Sequence, residues 1–153
     1  MKRNILLCGL AATLLISGAV YSEEQTAVLA NFENDQPARV DFWVYSVCRN
    51  QRPNLQVKPT RELSAGKHSI LVTAQRVDES VNHKMEGHVL LNASFEQGKR
   101  YQLVHSTENN NTSVWIVEND TQKIVSDKVA VELKNPLPAN DMVLTKMCKS
   151  TTT

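Results

Sequence analysis

Beyond residue 25, apolar and polar positions alternate with period two along most of the chain. Val40, Phe42 and Val44 fall on one face of a strand, with Asp41, Trp43 and Tyr45 on the other. Ile70, Val72 and Ala74 alternate with Ser69, Thr73 and Gln75. Val89, Leu91, Ala93 and Phe95 alternate with His88, Asn92 and Ser94, and Tyr101, Leu103 and His105 with Arg100, Gln102 and Ser106. Shorter runs at Thr26–Phe32, Val114–Glu118, Lys123–Ser126, Val129–Leu133 and Met142–Cys148 extend the series. Ser64-Ala65-Gly66-Lys67, Gln97-Gly98-Lys99, Glu108-Asn109-Asn110-Asn111 and Asn119-Asp120 supply turns. Arg49–Pro59 and Val77–Glu86 read as loops, and Ser150–Thr153 should fray. The pattern predicts seven to nine short strands and no amphipathic helix, hence an all-β fold. An antiparallel β-sandwich is the expected architecture, with a small β-barrel as the alternative.

The start of the chain follows a different rule. Lys2 and Arg3 precede an apolar run from Ile5 to Val20, about 16 residues, which then meets Val20-Tyr21-Ser22 and the acidic pair Glu23-Glu24. A spanning helix needs about 20 apolar residues, and this run is broken by Gly9, Thr13, Ser17 and Gly18. The segment reads as a secretory signal of bacterial character, cut after Ser22 or near Ala19, with an uncleaved anchor as the alternative. The expected organisation is a signal over 1–22 and one domain over 23–153. Cys8 stands too early in the apolar run for lipid attachment and reads as a small hydrophobe lost with the signal.

The whole chain of 153 residues carries a net charge of +1, with 17 basic and 16 acidic residues. Loss of Lys2 and Arg3 with the signal leaves 15 basic against 16 acidic residues. So even a balance excludes nucleic acid as a partner, because no excess of cations exists to neutralise a row of phosphates. No second run is apolar enough to span a membrane, so a periplasmic or secreted domain with no stable membrane span is expected.

Export changes the reading of the cysteines. Cys48 and Cys148 survive signal removal, and an even count in an oxidising compartment favours a bridge between them. Closing a loop of 100 positions restricts the unfolded chain by about 4–5 kcal/mol in the chain-entropy account. A redox or metal-ligand role is the alternative, but there is no C-x-x-C and no nearby His.

Two further groups of residues carry candidate chemistry. His83, Met85 and His88 offer imidazole and thioether ligands for copper, or two His with Glu86 for zinc. Their spacing matches no established site, and a solvated loop leading into a strand accounts for them equally. Trp43, Tyr45 and Trp115 offer aromatic surface for stacking on a glycan or docking a protein, unless a covering layer makes them core. There is no G-x-S-x-G, no glycine-rich phosphate loop and no signature partner for any His. A non-enzyme that binds a protein or glycan of the cell envelope, without cofactor, is therefore expected. A periplasmic copper- or zinc-binding protein, and an inhibitor of a hydrolase such as lysozyme, are the alternatives.

The segment Leu63-Ser64-Ala65-Gly66-Lys67-His68-Ser69-Ile70-Leu71-Val72 resembles the L-x-x-G-x-H-x-ϕ-x-V hairpin of PEGA-type modules, small β-sandwiches of the bacterial envelope. Phe95–Leu103 is similar to a segment that often follows it there. Together they cover roughly a third of the domain. The resemblance implies an Ig-like or PEGA-like sandwich in the periplasm, usually non-catalytic, and carries no catalytic residue onto this chain.

Overall fold

The computed structural model describes residues 26–33, 40–54, 58–78, 83–108, 111–136 and 142–152; the expected signal over 1–22 lies outside them. Among the described residues the chain forms eleven strands and one helix. The strands are β1 (Thr26–Ala30), β2 (Phe32–Glu33), β3 (Val40–Ser46), β4 (Cys48–Arg49), β5 (Arg52–Pro53) and β6 (Thr60–Ser64). They continue with β7 (Gly66–Asp78), β8 (His83–Phe95), β9 (Arg100–Glu108), β10 (Asn111–Glu118) and β11 (Val129–Val131), and the helix is α1 (Met142–Lys149). The fold is all-β in its mass, as the alternation predicts.

One sheet has the order β11-β10-β9-β1-β6, a second β2-β3-β7-β8, and β4-β5 is a small hairpin of its own. No barrel closes. Pairing is antiparallel throughout except between β1 and β9, which run parallel with Leu29 opposite Tyr101. Alternation turns one face of each sheet inward. Ala27, Leu29, Leu63, Tyr101, Leu103, Val114, Ile116 and Val131 of the first sheet join Val44, Ile70, Val72, Ala74, Leu91, Ala93 and Phe95 of the second in one apolar cluster. Within it Phe95 and Tyr101 meet edge to face at 4.8 Å, and the Tyr101 hydroxyl accepts a bond from the Glu96 amide at 2.9 Å.

The two sides of the molecule are joined differently. On the β8 side, the segment after β10 stitches the sheets together. The Val125 amide donates to Ile116, Ser126 bridges to Ala93, and Lys134 exchanges two amide–carbonyl bonds with Glu86, at 2.8 and 2.9 Å. Gly87 makes this approach possible, because a Cβ there would stand 2.5 Å from the Glu132 carbonyl oxygen and 2.5 Å from a Val131 methyl. On the opposite side the sheets diverge.

Several expectations need correction. Leu63–Val72 is no hairpin: β6 belongs to the first sheet and β7 to the second, so Ser64-Ala65-Gly66 is a corner between sheets. Gly66 turns it with φ 125°, a backbone that side-chain-bearing residues rarely adopt. The expected loop Val77–Glu86 is strand at both its described ends, since β7 and β8 stay paired as far as Asp78 opposite His83, and 79–82 lie outside the described residues. The expected loop Arg49–Pro59 contains β4 and β5, and Lys123–Ser126 makes only isolated bridges. Met142–Cys148 is helical, not a strand. Leu144 and Cys148, one turn apart, are buried, while Met142 and Val143 are exposed.

Helix α1 seats on the outer face of the second sheet. Val47, Cys48, Leu71, Leu144 and Cys148 form a second apolar cluster, with Tyr45 and Met147 packed against it. The Cys48–Cys148 bridge lies at its centre, with both sulfurs' residues fully buried. Past the helix the chain does not fray at once. Thr151 is buried, the Thr152 amide donates to the Ser69 carbonyl at 3.1 Å, and the Ser69 amide donates to the Thr152 hydroxyl at 3.0 Å.

Two outcomes test this account. The Cys48→Ala/Cys148→Ala double variant is expected to lose about 4–5 kcal/mol of stability in urea titration. Gly87→Ala is expected to lose about 1–3 kcal/mol by overpacking the seam, and an unchanged urea midpoint would show the seam to be loose.

Candidate functional site

Where the sheets diverge, a groove of about 670 Å³ opens between β6 and the β3–β4 end of the second sheet. Its volume falls within the range of small-ligand sites, roughly 300–1,000 Å³. Its walls are mainly polar, with Asn31, Ser46, Asn54, Thr60, Ser64 and Thr152 among them. Three cations line it, Arg49, Lys58 and Arg61, against one carboxylate, Glu62, among the described residues.

Each cation is held by its element. Arg61 shares the inward face of β6 with Leu63, so its side chain reaches across the gap instead of out to solvent. Its Nη1 donates to the Ser46 hydroxyl at 2.7 Å and to the Cys48 carbonyl, linking the first sheet to the second. Burial, and next the charge of Arg49, push its pKa below the usual guanidinium value. Glu62 points to the other face of β6 and makes no ion pair with Arg61 among the described residues.

Arg49 stands on the β4–β5 hairpin, directly opposite Arg52. The two residues between them, Asn50 and Gln51, have φ of 50° and 59°. Two successive left-handed residues make the tight turn whose twist suits a two-residue hairpin, and Asn tolerates the first position. Like charges facing each other across a strand pair are destabilising, so this hairpin concentrates positive charge against its own stability. Lys58 is fixed from the other rim, where its carbonyl accepts a bond from the Asn31 side-chain amide at 2.5 Å.

Three His–hydroxyl pairs are present among the described residues. At the groove, His68 Nε2 lies 2.8 Å from the Ser64 carbonyl oxygen and 3.3 Å from Ser64 Oγ, and its Nδ1 lies 3.3 Å from the Thr152 hydroxyl. A carbonyl only accepts, so Nε2 is the protonated nitrogen and offers Ser64 no base. His88 Nδ1 lies 2.8 Å from Thr73 Oγ1, and its Nε2 lies 3.6 Å from Glu86, but Thr73 is wholly buried and out of reach of a substrate.

The structure spreads out the residues singled out by sequence. His83, Met85 and His88 all lie on β8, with His83 and Met85 on one face and His88 on the other. Five positions of extended chain separate the two imidazoles by about 16 Å. No three His, Cys, Asp or Glu side chains among the described residues group as metal ligands. His105 sits on the other sheet, its ring edge to face with Phe32 at 4.6 Å.

Tyr45 lies half-buried beside α1, its hydroxyl donating to Gln75 at 3.1 Å. Burial, and then the Glu86 charge, push its pKa up to about 12. Trp115 is on the outer face of the first sheet, with Lys128 Nζ 4.4 Å over its ring. The side chain of Trp43 lies outside the described residues. The groove cations escaped sequence reading because they come from segments read as loop or turn, and only the density of Arg and Lys over 49–61 marks them.

Compared with known proteins, the chain matches no family model, no curated protein and no solved structure.

His105 supplies a pH test. Burial lowers its pKa below the ordinary 6.5, so unfolding takes up a proton just below that pH. Stability is expected to fall as pH drops from 6.5 through the folded value, then to level off with respect to this group. His105→Phe should flatten that slope in urea titrations across the range, and an unaltered slope would assign it elsewhere.

Proposed function

We propose that this chain is an exported, non-enzymatic β-sandwich module of the bacterial envelope that binds its partner in the groove between the two sheets. The groove carries this reading. It is concave, polar and framed by elements fixed before any ligand arrives, namely the disulfide-anchored β4–β5 hairpin, β6 and the Thr152 tail. Its His68–Ser64 pair has the wrong proton arrangement for nucleophilic attack by Ser64.

The sandwich architecture is supported by the single apolar cluster fed by the inward faces of both sheets. Export is supported by the leader-like pattern of residues 1–22 and by a buried disulfide that an oxidising compartment would maintain. Compared with Tyr45 and Trp115, the groove is the better surface, because α1 flanks Tyr45 and Lys128 covers the Trp115 ring.

The test expresses the full chain in a bacterial host, recovers it from the periplasm and incubates it with envelope fractions. The recovered chain is expected to start at Glu23, to co-sediment with an envelope fraction and to lose that binding in Ser46→Trp, which puts an indole where the Ser46 hydroxyl faces Arg61 in the groove. Trp115→Ala should bind normally. Recovery only from the cytoplasm, or binding unaltered by Ser46→Trp, would overturn the reading.

A further inference from the structure

The groove's chemistry narrows the ligand. We infer that it takes an acidic saccharide, a sugar bearing a carboxylate or phosphate whose oxyanion is received by Arg61, Arg49 and Lys58. This deepens the binding-module reading and rests on it.

The argument begins with Arg61. Only its Nη1 has partners, the Ser46 hydroxyl and the Cys48 carbonyl; Nε and Nη2 have none among the described residues. A half-buried guanidinium is thus fixed by one arm, with the N–H groups of the other two nitrogens left unused at the groove. Such a fork matches the paired oxygens of a carboxylate or phosphate. Arg49 and Lys58 add two more cations on opposite rims, and neither makes an ion pair among the described residues. The arrangement is unfavourable without an anion, since Arg49 destabilises the charged form of Arg61 and faces Arg52 across the hairpin. A bound oxyanion would relieve both repulsions at once.

The remaining lining separates a sugar from other anions. Asn31, Asn50, Ser46 and Thr60 present amide and hydroxyl groups, which suit the hydroxyls of a saccharide. Apolar lining is limited to Leu63 and Cys48, too little to anchor a peptide through buried side chains. No Phe, Tyr or Trp ring lines the groove among the described residues, so a neutral sugar would lack a large stacking platform. Charge would then supply the affinity, and the amides and hydroxyls the selectivity.

Calorimetry on the full disulfide-bonded chain tests the proposal with four probes: a hexuronic acid trisaccharide, a hexose phosphate, inorganic phosphate and a neutral trisaccharide of the same length. At least one of the first two is expected to bind, more weakly as salt is raised, and which one binds identifies the oxyanion. The neutral trisaccharide should not bind, and inorganic phosphate should bind about tenfold more weakly than the better acidic sugar. Arg49→Gln/Lys58→Gln, both at exposed positions, should weaken binding about tenfold or more with a Tm no lower than that of the parent chain. Arg61→Lys keeps the charge but loses the fork, and should also weaken binding.

Inorganic phosphate binding as tightly as the sugars would overturn the saccharide assignment. Failure of both acidic sugars, or equal binding by the neutral one, would overturn the proposal. If the chain still co-sediments with an envelope fraction in a Ser46→Trp-sensitive manner, the binding-module reading stands while the acidic-sugar assignment falls. If co-sedimentation also fails, both fall.

Discussion

The bond between Cys48 and Cys148 is the constraint on which the least regular part of the molecule depends. An eight-residue helix is too short to persist in water by itself, and α1 buries only Leu144 and Cys148 fully. The bridge holds that helix against Val47 and Leu71, and from there the tail reaches Ser69. The same bond fixes the base of a hairpin of two two-residue strands, which has little pairing of its own. Helix, hairpin and tail therefore share one anchor, and the hairpin and the tail border the groove.

The sheets themselves are held by a different logic on each flank. At the β8 flank the backbones touch, because Gly87 has no side chain to keep Val131 and Glu132 away. At the groove flank a single long side chain, Arg61, crosses the gap. One flank is sealed by the absence of a side chain and the other is spanned by a charged one, so the opening is a product of how the core is enclosed. The proposed binding chemistry thus lies where a charged side chain bridges the layers.

Much of this was legible in the sequence where alternation was strict. The inward sets Val44, Ile70–Val72–Ala74, Leu91–Ala93–Phe95 and Tyr101–Leu103 follow from period two alone, and the Cys48–Cys148 pairing follows from parity and compartment. What was not legible depended on partners distant in sequence. Val77, Asp78 and His83 to Glu86 fall in a stretch polar enough to read as loop, yet they pair as strand because a thirteen-residue ribbon supports them along its length. The helix was hidden because Leu144 and Cys148 satisfy period 3.6 within a run too short to separate it from period two. The groove was hidden because it is lined from β4, β6 and the tail, and nothing local marks Arg61 as inward-facing once β6 itself is missed.

The first strand lies inside its sheet, flanked on one side by β6 and on the other, in parallel, by β9. Its second neighbour is not made until the ribosome has passed residue 102. Before that, the locally paired ribbon of β7 and β8 can form, with its apolar face uncovered. A growing polypeptide therefore carries exposed adhesive surface for most of its synthesis and closes over it only near the end. Such a chain suits a route that delivers it unfolded and complete to the place where it folds, and it would fare poorly if its translation stalled midway.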